Sequence, residues 1–192
     1  DFRFPVQYVN RPNLNFRGFA GTVVSGQIKL GDSITALPSG KQSTVKSLVS
    51  FEGEQEVAYA PLTTTITLED EIDISRGGVL SSKENLVEAQ SSISSTVVWM
   101  DEASGQVGAK YLLKVGSREF PIKVQAIHSK VDPTKANQSF DVDTIEINDI
   151  TKVDLRLSQS GYFDSYADNK NNGVFILIDL QSNNTIAVGF VD

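Results

Sequence analysis

The sequence predicts an all-β protein: two consecutive antiparallel β-barrels of Greek-key type joined by a short linker. Three observations predict it. Apolar and polar residues alternate with period two along most of the chain, which sends successive side chains to opposite faces of a strand. Turn chemistry interrupts these runs at short intervals, and no 3.6-residue periodicity of useful length occurs. The length of 192 residues favours two compact units over one large β domain, a typical domain holding about 100 to 150. With 40 % hydrophobic residues, each half has enough apolar side chains for its own core. Closure into barrels removes the exposed edges of an open sheet.

The first strand is expected over 2–9, where Phe2, Phe4, Val6 and Tyr8 share one face and Arg3, Pro5 and Gln7 the other. Asn10-Arg11-Pro12-Asn13 reads as a turn into a long strand over 18–30. Within it, Gly26 has no Cβ and can absorb a kink where the strand bends around a small barrel, and Gly31-Asp32 supports a tight turn into a strand over 33–37. Pro38-Ser39-Gly40 leads to a strand over 43–51, Glu52-Gly53-Glu54 turns the chain again, and strands over 63–69 and 78–81 complete the barrel. The polar, weakly periodic, serine-flanked stretch that follows reads as a linker. The expected division is therefore a barrel over 1–83, a linker over 84–92 and a second barrel over 93–192. In the second half a strand is expected over 95–100, then a hairpin of 111–115 and 120–124 turning through Gly116-Ser117. Strands over 143–148, 152–158, 174–180 and 185–191 follow, with a loop over 164–172. The halves show no clear sequence repeat.

Composition excludes several function classes. With 24 acidic against 17 basic residues the formal charge is −7, which repels a phosphate backbone or an anionic membrane surface, so no nucleic acid and no membrane are expected as partners. The chain has no cysteine, hence neither a disulfide framework nor a thiolate zinc site, and a reducing, cytoplasmic location is expected. No apolar run of about 18 residues and no leader-like start is present. The chain opens on Asp1 in strand-like alternation, as expected of a fragment cut at a domain boundary.

No motif assembles a catalytic or cofactor site. Gly40-Lys41 fails as a phosphate loop because Gln42 replaces the Ser or Thr and Thr35 the first glycine. Asn169-Lys170-Asn171-Asn172 lacks the terminal aspartate of a guanine-reading motif and reads as a surface turn. Glu69-Asp70-Glu71-Ile72-Asp73 lacks calcium-loop spacing and reads as a solvated strand end. Asp141 and Asp143 alternate out of phase with Glu146, His128 has no second soft ligand, and no Gly-x-Ser-x-Gly elbow supports a hydrolase. Trp99 is expected in a core or between domains. Two glycosylation triplets, Asn137-Gln138-Ser139 and Asn183-Asn184-Thr185, matter only in a secreted protein. Catalytic, cofactor-binding and metal residues are all expected to be none.

Gly21-Thr22-Val23-Val24-Ser25-Gly26-Gln27-Ile28 with Gly31-Asp32, and Arg76-Gly77-Gly78-Val79-Leu80, resemble the second domain of translation-type GTPases such as elongation factor Tu. A more specific resemblance joins the strings 4–12, 16–22, 37–40 and 70–77, which read FPVQYVNRP, FRGFAGT, LPSG and DEIDISRG. With Val97-Val98-Trp99-Met100 and Phe175-Ile176-Leu177-Ile178-Asp179, these are similar to the large, GTP-hydrolysing subunit of bacterial sulfate adenylyltransferase. The likeness covers both halves, strongly in the first and in patches in the second, and departs at Ala187-Val188 where that family reads Gly-Ala.

The resemblance implies a place as the second and third barrel domains of that subunit. It implies that GTP and magnesium are bound by a preceding GTPase domain absent here. It also implies that a separate small subunit joins ATP to sulfate, giving adenosine 5′-phosphosulfate and pyrophosphate. The expected partners are that small catalytic subunit and the GTPase domain, with GTP hydrolysis relayed through a change of domain packing. Whether the chain itself counts as an enzyme is left open. Arg11, Arg17 and Arg76 are the candidate contact residues, since arginine forks anchor interfaces, against the alternative of solvated arginines paired with nearby carboxylates. Two other readings stand beside this one: a translation-factor barrel pair holding a charged tRNA end, and a secreted β-sandwich binding module.

Overall fold

The structure is a computed structural model that describes residues 1–14, 16–83, 88–131, 139–140 and 142–192. The chain divides into two compact units, Asp1–Leu86 and Val87–Asp192. Of the segment expected as a linker, 84–87 lie outside the described residues, and Gln90, Ser91 and Ser92 open the first strand of the second unit. No helix among the described residues is long and apolar enough to cross a membrane.

The first unit contains β1 (Arg3–Asn13), β2 (Phe16–Thr22), β3 (Gln27–Lys29), β4 (Ser33–Leu37), β5 (Lys41–Ser50), β6 (Gly53–Gln55), β7 (Val57–Tyr59), β8 (Thr63–Leu68) and β9 (Val79–Ser82). Hydrogen bonding runs in the order β4-β9-β1-β2-β8-β5, and β4 pairs again with β5, so six antiparallel strands close a barrel. Closure follows from the alternation. Phe4, Val6, Phe19, Ile34, Leu48, Ile66 and Leu80 are all within 1 % of full burial and form one core from one face of each strand. These six strands are the six expected from sequence. A β-sandwich is thereby replaced by a closed barrel.

Two local expectations change. Asn10–Asn13 is not a turn: β1 continues through it, pairing Asn10 with Gly18 and Asn13 with Phe16 across a register shift. Pro12 is tolerated there because a bulge releases its residue from the ladder. The long strand over 18–30 breaks over 23–26, where Ser25 keeps only an isolated bridge to Arg3, leaving β3 to pair with β7 as a two-stranded ribbon. Gly26 adopts φ +67°, and a Cβ there would lie 2.7 Å from Asp1 C and Phe2 N. The kink at Gly26 is therefore both a left-handed backbone and a close chain crossing. At the next corner Lys29 N donates to Asp32 Oδ2 at 2.9 Å, so the carboxylate after Gly31 caps the turn.

The second unit contains β10 (Gln90–Trp99), β11 (Gly105–Gln106), β12 (Lys110–Val115), β13 (Arg118–Val131), β14 (Ser139–Phe140), β15 (Thr144–Ile145), β16 (Ile150–Gly161), the one-turn helix α1 (Lys170–Gly173), β17 (Val174–Ile178) and β18 (Thr185–Val191). The order β12-β17-β18-β10-β16-β13 closes through a second β12–β13 pairing, again six antiparallel strands. Its core includes Val97, Trp99, Leu113, Leu155, Phe175 and Leu177. Trp99 is 1 % exposed, packs edge-on against Tyr111 at 5.7 Å and donates Nε1 to Ala103 O at 2.8 Å. Its place is thus the core of this barrel. The strand expected over 143–148 shrinks to β15, because Asn148 takes φ +68° and turns the chain. The stretch 164–172 leads into α1, capped by Asn169, whose side chain accepts from the backbone of Asn171 and Asn172. At the departure Ala187-Val188, β18 continues with Ala187 fully buried, and its ladder to β17 shifts register between Ala187 and Thr185.

Candidate functional site

On the first barrel the segment after β8 forms a strap. Ile72 and Ile74 point inward, 3 % and 4 % exposed, while Glu71 and Asp73 point outward, so strand-like alternation persists without a strand ladder. The strap is tied down along its length. Ser43 Oγ donates to Asp70 Oδ2 at 2.9 Å and accepts from Asp70 N at 3.1 Å, and Gly77 N donates to Val6 O at 2.9 Å. The acidic run leaves the end of β8 with its four carboxylate residues exposed, as expected of a solvated strand end, and Ile72 and Ile74 anchor it as a strap.

Two of the three candidate arginines close on this strap. Arg11 Nη2 meets Glu71 Oε1 at 2.6 Å, and Arg17 Nη2 meets Asp73 Oδ1 at 2.7 Å. Arg17 also lies over the Phe19 ring at 5.9 Å. Arg76 stands apart. It is exposed at the strap's far end, and among the described residues its side chain takes part in no ion pair or hydrogen bond. Beside the Arg17 pair is an open cavity of 390 Å³. Its floor and wall include Leu14, Phe16, Phe19 and Leu68, and Lys46 and Glu69 flank it. Tyr8, Leu14 and Phe51 are also exposed on this barrel, at 63 %, 86 % and 106 %.

The second barrel carries a buried polar cluster that sequence reasoning missed. Arg118 is 4 % exposed, between the rings of Phe120 and Phe163 at 6.0 and 5.6 Å. It donates to Tyr162 O and Asn172 Oδ1, and Asn172 Nδ2 in turn donates to Asp164 Oδ2 at 2.8 Å. Asn169 Nδ2 reaches the same carboxylate oxygen at 3.1 Å. Burial lowers the Arg118 pKa to about 10 while Asp164 opposes the shift, so the guanidinium stays charged at neutral pH. The Asn169-Lys170-Asn171-Asn172 stretch is therefore only half a surface turn: Lys170 and Asn171 are exposed, while Asn169 and Asn172, 9 % and 4 % exposed, form a buried structural clamp. The signal was invisible in sequence because Arg118 lies 54 residues from Asn172.

His128 sits on the outer face, Nε2 2.7 Å from Asp154 Oδ2, with Ser94 Oγ donating to Asp154 Oδ1 at 2.7 Å. The carboxylate stands between serine and histidine, so the histidine cannot take the serine proton and the trio is not a nucleophile with its base. The Ser94 hydrogen bond, then His128, holds the Asp154 carboxyl below its usual range. Glu146 accepts from Ser104 and Thr144, whereas Asp141 lies outside the described residues. Among the described residues no three metal-ligating side chains converge.

The GTP-eEF1A C-terminal domain-like family matches residues 92–192. Sulfate adenylyltransferase subunit 1 of Pseudoalteromonas atlantica is 54 % identical over 191 residues, covering 100 % of this chain and 40 % of that protein. Its counterpart in Alteromonas mediterranea is 47 % identical with the same coverage. The bifunctional enzyme CysN/CysC of Rhodopirellula baltica is 44 % identical, covering 100 % of this chain and 29 % of that protein. The chain thus spans about two fifths of the length of the subunit 1 relatives it matches. Among solved structures, sup35 complexed with GDP superposes with a TM-score of 0.87 at 17 % identity, covering 99 % of this chain and 46 % of that one. The elongation factor SelB of Methanococcus maripaludis, in its apo form, gives 0.80 at 18 %, covering 100 % and 42 %. At such identities the likeness concerns the fold. The chain belongs to the GTP-eEF1A C-terminal domain-like family, and along its whole length it is similar to the barrel region of sulfate adenylyltransferase subunit 1.

Proposed function

We propose that this chain is the barrel module of the GTPase subunit of a sulfate adenylyltransferase. In this reading it docks to the subunit's GTPase domain and to a small catalytic subunit in the cytoplasm. There it couples GTP hydrolysis to synthesis of adenosine 5′-phosphosulfate from ATP and sulfate. GTP and magnesium are bound by the GTPase domain, outside this chain. The observation that carries the reading is 54 % identity across the entire chain to a protein named as subunit 1 of that enzyme. Its role would be mechanical: the two barrels pass a nucleotide-dependent change of domain packing to the adenylyl-transfer site.

Calorimetric titration of this chain with purified small subunit, with GTP as the parallel titrant, tests it. The expected result is micromolar or tighter binding of the subunit and no heat from GTP. Absence of subunit binding, both here and with the full-length GTPase subunit, overturns the reading. Of the three arginines, Arg76 has no ion pair to give up, so Arg76→Ala is expected to weaken subunit binding about five- to tenfold, more than Arg11→Ala or Arg17→Ala.

A further inference from the structure

The second barrel places three cations in one row. Strand register sets Lys110 opposite Lys123 and Lys123 opposite Arg156, with Ser92 next across the sheet. All three cations are exposed on the outer face. Among the described residues, none has a side-chain hydrogen bond or an ion pair. Neighbouring cations differ: Lys114 pairs with Glu119, Lys130 with Asp149 and Lys152 with Asp192. The carboxylate two positions from Arg156 on the same face is Asp154, and both its oxygens are taken by Ser94 and His128. Like charges directly opposite on paired strands repel. Although the chain holds 24 acidic residues against 17 basic ones, no described carboxylate forms an ion pair with this row.

We propose that Lys110, Lys123 and Arg156 form a docking surface for the acidic face of a helix in a partner protein. The spacing carries the argument. Adjacent strands lie about 4.8 Å apart, so the row presents positive charge at close to the spacing of side chains three and four apart on a helix, about 5 to 6 Å. Along the strands the row is flanked by Leu112 and Pro121 on one side and by Gln125 on the other, while Ser92, which donates to Gln125, ends it. A small anion would instead need a concavity. A nucleic-acid chain would need more cations, six to ten phosphate contacts being usual, and it would have to approach a molecule of net charge −7. The surface is defined by its own residues and does not depend on which subunit the proposed function invokes.

The test uses two fluorescent alanine-based helical peptides of equal composition, one with glutamates at i, i+4 and i+7, the other with them dispersed around the helix. Anisotropy is read against the whole chain at low and physiological salt. The expected result is tighter binding of the single-face peptide, weakening with salt, and a loss of about tenfold or more in Lys110→Gln/Lys123→Gln/Arg156→Gln. Lys29→Gln/Lys41→Gln/Lys83→Gln, which removes the same charge from the first barrel, is expected to change binding by less than about twofold. The first triple variant should keep or raise the thermal midpoint, since it removes cross-strand repulsion. No binding of the single-face peptide, an equal loss in both variants, or a lowered midpoint overturns the proposal. So does tighter binding of a single-stranded oligonucleotide of equal charge through the same three residues, which would make the row a phosphate surface.

Discussion

At Gly189 the backbone of β18 passes directly under the ring of Phe175. A Cβ there would lie 2.1 Å from Phe175 Cζ and 2.3 Å from Cε2, and the ring is 2 % exposed. Gly189→Ala is expected to destabilise the second barrel by about 1–3 kcal/mol through overpacking, read as a fall in the denaturant midpoint. Adding Phe175→Leu should recover part of that loss, making the pair less damaging than the sum of its singles; simple additivity would show that the clash is not the cause. Asp154 makes a different residue-scale claim. Its folded pKa is lowered, first by the Ser94 hydrogen bond and then by His128, so the unfolded chain binds the proton more tightly. The stabilisation is therefore present above the ordinary carboxylate pKa, 3.8, and is lost as pH falls through the lower folded value. Asp154→Asn should flatten the loss of stability between pH 5 and pH 3 relative to the parent; equal slopes in both proteins would remove Asp154 from the acid response.

At the scale of elements, the strap tests what surface ion pairs contribute. Arg17 is 20 % exposed but Asp73 is 83 % exposed, so solvent screens the pair despite its 2.7 Å separation. A double-mutant cycle over Arg17→Ala and Asp73→Ala is expected to give a coupling of about 0.2–1 kcal/mol. Ile72→Ala, which empties a buried site, should cost more, about 2–5 kcal/mol. The reverse order would mean that charge rather than apolar burial holds the strap. The same segment shows what a sequence conveys. Barrel strands such as β12 and β13 were legible because period two is a local property of consecutive residues. The strap was not, because four carboxylates among five residues masked the inward pair Ile72 and Ile74. The break at Gly26 was legible as a kink but not as the end of a strand, since the crossing chain at Asp1 and Phe2 that forbids a side chain there is distant in sequence. Arg118 with Asn172, and the row Lys110, Lys123 and Arg156, are products of register, which pairing across the sheet decides and local pattern does not.

For the whole molecule, the two cores are drawn from separate residues: one cluster lies entirely within Phe2–Leu80 and the other within Ile93–Val191. Each barrel closes its own ladder, so neither needs strands from the other to satisfy its backbone hydrogen bonds. Each unit expressed alone, residues 1–86 and 87–192, is therefore expected to fold cooperatively with a β-type circular dichroism spectrum. The intact chain offers an internal check, because its one tryptophan, Trp99, is buried in the second core. Tryptophan fluorescence then reports the second barrel, while far-ultraviolet dichroism reports both. In a denaturant titration the unfolding free energy read from the fluorescence of the intact chain should match that of unit 87–192 alone to within about 1 kcal/mol, with the dichroism curve following a composite of the two isolated units. An isolated second unit that shows no cooperative transition, or a fluorescence midpoint that moves far from its isolated value in the intact chain, would mean that the barrels are thermodynamically one body. In that case the relay assigned to them would have to run through rigid rotation of the pair and not through repacking between its halves.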